Sequence, residues 1–487
     1  MGRLRHLTPA GYALALGLVF YVETRAWLVS KFPYFLDEGI LAQYAQTIDR
    51  DASAGLISLD AGVRPGLCWL TVAAMEAFHL QPLDAIRAVA VVFGLLAAVC
   101  GFVVARRYVG RAGAAGFAAL ALVTPYLFLY DALGLREPVI AGVVVAAFLI
   151  ELELARRPRG VLGLALGVAF ALTIWTKESG KIAMYLLPLS LVYFPFRAPD
   201  RRRLAVRWCA CVAGAFAIAY AATWPLALGG TAYQRLGATE HTLGYTRSFS
   251  AIAGHPLRYF EASWPDVQSA LTSYLTYPVL VLALAGLAVG LRRRTRFTIL
   301  VAAWASAQIA AAVWIATIPY PRYLMPAVPF VLLLCALAVE EAARRVRQPV
   351  LVAAGALLLV PAVVFDAKLS FSPASAPYPS RDRLQYVTGY TSGFGYDRAT
   401  DELALITAGR PTVVETDPFS TPVPLEVLTA QRGLAIDWRS VGDPKARDAQ
   451  IVVVNNTYVP NGVGTVRKLW SYVRPGGGIP LEIYLRR

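Results

Sequence analysis

Charged residues are scarce in this chain: Asp, Glu, Lys and Arg make up 16% of its 487 residues, against about a quarter in ordinary soluble domains. Hydrophobic residues make up 57%. This combination excludes a disordered chain, a nucleic-acid-binding module and an ordinary cytosolic enzyme. Acidic residues are scarcer than basic ones, 31 against 46, which gives a net charge of +15. Because the basic residues cluster between apolar runs, where they are typical of a membrane surface, the composition predicts a polytopic membrane protein.

Cysteine and histidine are also few, with five and four residues. The cysteines all lie in apolar segments and lack metal-ligand spacing, which favours buried, unpaired thiols over a disulfide framework. The histidines are too scattered to form a zinc site. We therefore predict no metal site from these two residue types.

Eleven apolar segments come near the length of about 20 residues that a helix needs to cross a bilayer. Residues 65–80 are too short for this and are interrupted by Glu76 and His79. We predict that they form an amphipathic helix on the outer surface. The eleven predicted spans are 10–30, 83–105, 112–129, 138–155, 161–176, 181–196, 204–228, 273–291, 297–317, 324–343 and 349–366.

Arginine clusters predict the orientation of these spans. Alternate short loops, beginning with the N-terminal segment, hold most of the arginines; Arg106, Arg202, Arg293 and Arg344 are examples. Since positive charge concentrates in cytoplasmic loops, we expect a multi-pass protein of the plasma (inner) membrane with a cytoplasmic N-terminus. An odd number of spans then places the C-terminal region outside the cytoplasm.

The composition changes after the last span. A Pro/Ser-rich linker at 371–380 is followed by short β-branched runs that alternate with helical patterns, which is typical of a small α/β domain. The strands are predicted at 412–415 and 451–454, and the helices at 397–408 and 422–431. The predicted fold is thus mainly α, with a transmembrane catalytic domain at 1–366 and an extracytoplasmic α/β domain at 367–487.

Two adjacent carboxylates, Asp37 and Glu38, follow the first span in an otherwise apolar stretch. Such groups are costly near hydrocarbon unless they are hydrogen-bonded or serve a function. One alternative is that they cap the helix predicted from Ile40 to Ile48. The other is that they belong to an active site.

Other positions of the predicted outer face hold cations that the orientation rule should have depleted. Each one alone could extend from a span end to the membrane surface. As a group they indicate an anionic ligand, with phosphate as the natural candidate. These cations are Arg64, Arg136, Lys177, Lys181 and Arg322.

Four segments of the predicted outer face resemble the GT-C class of membrane glycosyltransferases. They are Phe35-Leu36-Asp37-Glu38-Gly39, Arg64-Pro65, Thr176-Lys177 and Pro321-Arg322-Tyr323-Leu324-Met325-Pro326. The chain is similar in layout, over residues 10–366, to the polyprenyl-phosphate-sugar-dependent branch, which includes aminoarabinose transferases that modify lipid A and protein O-mannosyltransferases. Arg64 stands where the aminoarabinose transferases usually have lysine, and the His-Pro-Pro of the mannosyltransferases is absent. The resemblance therefore leaves the sugar open.

This resemblance implies an inverting glycosyltransferase that uses a polyprenyl-phosphate sugar. The acceptor would be a lipid, glycan or protein of the cell envelope, and the lipid tail of the donor would lie between spans. Asp37 is the expected catalytic base, while Glu38 either orients the acceptor or holds a divalent cation. The expected phosphate ligands are Arg64, Lys177 and Arg322, followed by Arg136 and Lys181, and the expected substrate contacts are Glu137, His241, Tyr320 and Tyr323.

Three other functions compete with this interpretation. A transporter or flippase for a lipid-linked or anionic substrate is the main alternative, although such proteins usually place ionisable residues or broken helices at the bilayer midplane. A membrane scaffold that presents the outer domain would leave the grouped cations unexplained. A polymerase or ligase of surface polysaccharide remains open within the transferase class.

Overall fold

The computed structural model describes residues 9–56, 64–228, 246–416, 422–441, 443–456 and 466–486. Within these ranges the chain forms a bundle of apolar helices, followed by a small sheet with its own helices. The bundle comprises α1 (Pro9–Lys31), α2 (Leu36–Arg50), α3 (Gly66–Phe78), α4 (Pro82–Tyr108), α5 (Arg111–Val123), α6 (Pro125–Tyr130), α7 (Arg136–Arg156), α8 (Gly160–Thr176), α9 (Lys181–Leu186), α10 (Arg201–Leu228), α11 (Phe249–Gly254), α12 (Pro256–Arg293), α13 (Thr295–Ala310), α14 (Val328–Arg345) and α15 (Gln348–Phe371).

Seven helices in the described residues are long and apolar enough to cross a membrane. Two of these segments combine an α-helix with another helix type. A π-helical turn continues α13 to Ile315, and a 3-10 helix from Pro321 to Ala327 precedes α14. The polytopic helical fold predicted from the sequence is confirmed. The seven segments are Pro82–Tyr108, Arg136–Arg156, Arg201–Pro225, Pro256–Arg293, Thr295–Ile315, Pro321–Arg345 and Gln348–Phe371.

Two of the predicted spans are broken at prolines. The segment at 181–196 forms α9 and then a 3-10 helix, Leu187–Tyr193, because Pro188 cannot donate the hydrogen bond that would continue an α-helix. The segment at 112–129 divides into α5 and α6 at Thr124, where Pro125 favours an extended residue before it. The helix predicted at 65–80 is confirmed as α3, and its 13 residues span about 20 Å, less than a bilayer core.

The predicted inner and outer loops lie at opposite ends of the bundle. At one end, Arg107 pairs with Glu153 at 2.8 Å and Arg293 pairs with Glu341 at 2.9 Å. At the other end, Glu137 in the first turn of α7 pairs with Lys177, and Arg322 in the turn before α14 pairs with Asp37 of α2. Between them the core is apolar and aromatic, with Phe148 packed edge-on against both Trp304 and Phe330 at 5.1 Å between ring centroids.

The C-terminal residues form the predicted α/β fold. Helices α16 (Ser380–Arg383), α17 (Tyr396–Thr407) and α18 (Val423–Gln431) accompany strands β1 (Thr412–Thr416), β2 (Ile436–Ser440), β3 (Ile451–Val454), β4 (Val466–Val473) and β5 (Pro480–Arg486). The sheet order is β2-β1-β3-β5-β4, with β2, β1 and β3 parallel and the other pairings antiparallel. Leu403 of α17 and Leu425 of α18 bury against Val414 and Ile483 of the sheet. The division of the chain into domains at 366/367 stays a prediction, and α15 runs past it to Phe371.

Candidate active site

Helix α2 begins directly after the short loop that leaves α1, so its first turn carries both Asp37 and Glu38. Phe35 is the N-cap, and its backbone N–H donates to Oε2 of Glu38 at 2.7 Å. Glu38 is fully buried. Its other oxygen, Oε1, accepts from the backbone N–H of Gly134 at 2.7 Å. Of the two alternatives for this pair of acids, helix capping therefore applies to Glu38.

Arg87 of α4 holds Glu38 from the opposite side. Its Nε lies 2.7 Å from Oε1 and its Nη2 lies 2.8 Å from Oε2, so the two side chains form a buried, bidentate ion pair. The same guanidinium donates to the carbonyls of Val29, Phe32 and Pro33 at 2.7–3.0 Å. Both oxygens of Glu38 are thus occupied by donors, and the arginine fixes the loop between α1 and α2.

Asp37 points the other way and remains accessible. Its side chain is 36% exposed, and its Oδ2 lies 2.9 Å from Nη2 of Arg322. Three aromatic rings surround the Arg322 guanidinium, at 4.9 Å (Tyr320), 5.4 Å (Phe35) and 5.6 Å (Tyr323) to the ring centroids. Such a cage holds the arginine in place while leaving one face of the carboxylate open to a substrate.

Lys177 continues this charged cluster along the same surface. It follows the last residue of α8, and its Nζ lies 2.6 Å from Oε1 of Glu137 and 4.0 Å from the centroid of the Tyr323 ring. Tyr323 therefore lies between Lys177 and Arg322. Glu137, in the first turn of α7, is buried and anchors the lysine.

A second group of charges lies beside Lys177. Glu178 forms ion pairs with both Arg64 and Lys181. Arg64 also donates from Nη1 to the carbonyl of Ile174 at 2.7 Å. A Cβ on Gly66 would lie 2.6–2.8 Å from the backbone of Trp175 and Thr176. Arg64 thus lies against the end of α8, where Lys177 begins the next loop.

The structure brings together most of the residues that the sequence predicted for the site. Asp37, Arg322, Tyr320, Tyr323, Lys177 and Glu137 form one connected group, and Arg64 and Lys181 form a second one around Glu178. Arg136 lies half-buried at the start of α7, next to Glu137. His241 lies outside the described residues. Among the described residues, no group of three or more His, Cys, Asp or Glu side chains could hold a metal ion. Both oxygens of Glu38 already accept hydrogen bonds, so neither is free to bind a divalent cation.

Sequence reasoning missed the segment that covers this site from the C-terminal side. Gln385 accepts from Nη1 of Arg322 at 3.4 Å. Asp382, fully buried, accepts from the hydroxyl groups of Tyr274, at 2.5 Å, and Tyr130. Burial raises the pKa of Asp382 to about 6. These contacts join residues more than 60 positions apart, and no local pattern around Asp382 and Gln385 indicates them.

Arg87 was missed for another reason. It is the sixth residue of α4, in a segment that the sequence predicts only as an apolar span. The available signal was the cost of an ionisable side chain in such a segment, which predicts a partner or a function. That partner is Glu38.

At the level of sequence, no protein-family model and no curated protein matches the chain. Solved structures do match it. ArnT from Cupriavidus metallidurans in the apo state superposes with a TM-score of 0.58 at 14% identity, over 98% of both chains. The chain has a GT-C fold. The same ArnT bound to undecaprenyl phosphate gives a TM-score of 0.56 at 15% identity, again over 98% of both chains.

A second GT-C enzyme shares the fold over most of the chain. The archaeal oligosaccharyltransferase AglB from Archaeoglobus fulgidus, in complex with an inhibitory peptide and a dolichol-phosphate, gives a TM-score of 0.53 at 13% identity. The match covers 91% of this chain and 70% of AglB. The GT-C resemblance seen in the sequence is thus confirmed for the fold.

Proposed function

We propose that the protein is an inverting glycosyltransferase that takes a sugar from a polyprenyl-phosphate donor. The observation that carries this proposal is the Asp37–Arg322 pair, in which an accessible carboxylate lies 2.9 Å from a guanidinium surrounded by aromatic rings. Lys177 lies on the other side of one of these rings, Tyr323. Two structures of the same fold were solved with undecaprenyl phosphate or dolichol-phosphate. Their ligands support a lipid-linked phosphate as the donor class.

The arrangement suits a single displacement at the anomeric carbon. Asp37 accepts the proton of the acceptor hydroxyl as its oxygen forms the new bond to that carbon. The bond between the carbon and the phosphate oxygen breaks, and its electron pair stays on the phosphate. Arg322 and Lys177 offset the charge that develops there. The sugar is inverted and polyprenyl phosphate is released.

Glu38 has a positioning role in this proposal. It is held by Arg87 and two backbone N–H groups, and it fixes the first turn of α2 so that Asp37 faces Arg322. The acceptor is a lipid, glycan or protein of the envelope, and the sugar is open. Tyr320 and Tyr323 are suited to contact the sugar or the lipid because both rings flank Arg322.

Transfer by the purified protein tests this function. The protein in detergent is incubated with polyprenyl-phosphate sugars and envelope extracts, and mass spectrometry follows release of polyprenyl phosphate together with the appearance of a glycosylated acceptor. Coupled appearance of both products is expected. Movement of an intact lipid-linked sugar across vesicle membranes without either product would favour the transporter instead.

We also propose that the site faces away from the cytoplasm, as the arginine-rich loops at the other end of the bundle suggest. An Asp49→Cys variant places a thiol at an exposed position of α2. A membrane-impermeant maleimide should label it in intact cells, whereas Arg202→Cys should be labelled only after lysis, with the wild type as background. The reverse pattern would place the site in the cytoplasm and contradict the orientation.

A further inference from the structure

Every cation of the site that has an ion pair is paired with a carboxylate, and two of the cations share one. Arg322 pairs with Asp37, Lys177 with Glu137, and Arg64 and Lys181 with Glu178. A phosphate that binds here must therefore compete with carboxylates already present. The three carboxylates differ in how easily they can give way.

Burial separates Glu178 from Glu137. The Glu137 side chain is 6% exposed, whereas that of Glu178 is 41% exposed. Glu178 lies in a single 3-10 turn, Glu178–Gly180, between α8 and α9. Moving its carboxylate into water costs little desolvation, while moving Glu137 would expose a buried charge and its partner. Asp37 is 36% exposed as well, but it is the proposed base, so Glu178 is the accessible carboxylate that the proposed chemistry leaves free to move.

One of the two cations around Glu178 is also held by other contacts. Arg64 is anchored by its hydrogen bond to the carbonyl of Ile174 and by the close packing of Gly66 on the end of α8. Lys181 begins α9, and its side chain is 31% exposed. If the carboxylate moves away, Arg64 stays in place and Lys181 is a second cation available to an anion.

The charge of this group favours one phosphate species over another. Arg64, Lys181 and Glu178 together carry a net charge of +1, which matches the single negative charge of a phosphodiester donor. The phosphate monoester released by transfer carries about −1.5 to −2 at neutral pH. Without Glu178, the remaining charge of +2 would match the monoester and retain it.

We propose that the leaving phosphate, which Arg322 and Lys177 stabilise during transfer, then binds Arg64 and Lys181 beside Lys177, and that Glu178 competes with this monoester product there and so accelerates its release. This inference rests on the proposed function, because it requires a polyprenyl-phosphate donor. It assigns a specificity role to a residue that the proposed chemistry does not otherwise use.

Binding of a short-chain isoprenyl phosphate monoester to the purified full-length protein tests the proposal, with transfer kinetics as the second readout. Glu178→Gln, which keeps the size and removes the charge, should bind the monoester about tenfold more tightly, the change expected for one added charge-assisted hydrogen bond. Its inhibition constant for the monoester should fall more than its KM for the donor. Glu178→Ala should change both in the same direction.

Glu76→Gln is the matched control, because Glu76 is an exposed acid on α3 and its loss changes the net charge equally. It should bind the monoester as the wild type does. Equal or weaker binding by both Glu178 variants, with normal binding by the wild type, would overturn the role of Glu178 alone. An equal gain in Glu76→Gln would also overturn it, since net charge would then suffice. Absence of monoester binding by the wild type and by both Glu178 variants would overturn this inference, whereas absence of transfer from any polyprenyl-phosphate sugar would overturn the proposed function.

Discussion

Glu38 and Arg87 show how much of this site depends on one buried ion pair. Glu38 accepts hydrogen bonds from the backbone N–H groups of Phe35 and Gly134 and from Nε and Nη2 of Arg87. Arg87 also donates to three carbonyl groups at the end of α1 and in the loop that follows it. Neither side chain has measurable exposure. The pair therefore orders the backbone that presents Asp37.

We predict that Glu38→Gln destabilises the protein by about 3–5 kcal/mol, the usual cost of leaving one buried charge unpaired. The new amide group would also face the N–H donors of Arg87. Thermal unfolding of the purified protein in detergent measures the loss. The double variant Glu38→Gln/Arg87→Gln should lose less than the sum of its single variants, since the uncompensated charge is gone. Strict additivity would contradict the coupling.

At the scale of elements, α2 is held between the bundle and the C-terminal helix α18. Gly39, one turn into α2, faces Pro424, and a Cβ built on it would lie 2.5–2.7 Å from the proline backbone nitrogen and ring. The glycine permits the two helices to touch directly behind Asp37. This contact connects the predicted outer domain to the first turn of α2.

Gly39→Ala should therefore destabilise the protein by about 1–3 kcal/mol, the usual cost of overpacking a close contact. Because alanine is otherwise more stable than glycine in a helix, a loss of stability would identify the clash with Pro424. Gly214→Ala in α10 is the matched control, because a Cβ there meets nothing within 4 Å. It should leave the melting temperature unchanged or raise it. If Gly39→Ala behaved like the control, the α2–α18 contact would be refuted.

The elements themselves were largely predictable because their signals are local. The β-branched runs at 412–415 and 451–454 became β1 and β3, and the apolar runs became helices. The break inside 181–196 was also readable, since Pro188 lies in its middle. The candidate site was predictable in part, because paired acids and cations in the predicted outer loops indicated the residues that the structure brings together. Their pairings, such as Asp382 with Tyr274, depend on tertiary packing and have no local signal.

For the whole molecule, the two parts of the chain meet through a titratable contact. Gln43 of α2 donates to Oε2 of Glu426 in α18 at 3.3 Å. Burial raises the pKa of Glu426 from 4.5 to about 7. The folded protein thus binds this proton more tightly than the unfolded chain, so stability is full below the unfolded pKa and falls as pH rises through about 7.

We predict that the melting temperature of the wild type falls relative to that of Glu426→Gln between pH 4 and pH 8. The two proteins should melt most nearly alike at pH 4, below the unfolded pKa of the glutamate, where its side chain is mostly neutral in both the folded and the unfolded protein. The variant should melt higher at pH 8, because its amide remains neutral and can still bond to Gln43. Parallel curves across this pH range would show that Glu426 titrates normally in the folded protein.

In the proposed reaction Asp37, aligned by Arg322, accepts a proton from the acceptor during sugar transfer. The most direct measurement is the turnover of Asp37→Asn on a polyprenyl-phosphate sugar, beside Asp49→Asn, an exposed acid on the same helix. Asp37→Asn should lose about 10²–10⁴-fold in rate while its melting temperature stays within a few degrees of the wild type. Asp49→Asn should keep full activity. Full turnover by Asp37→Asn would contradict the claim.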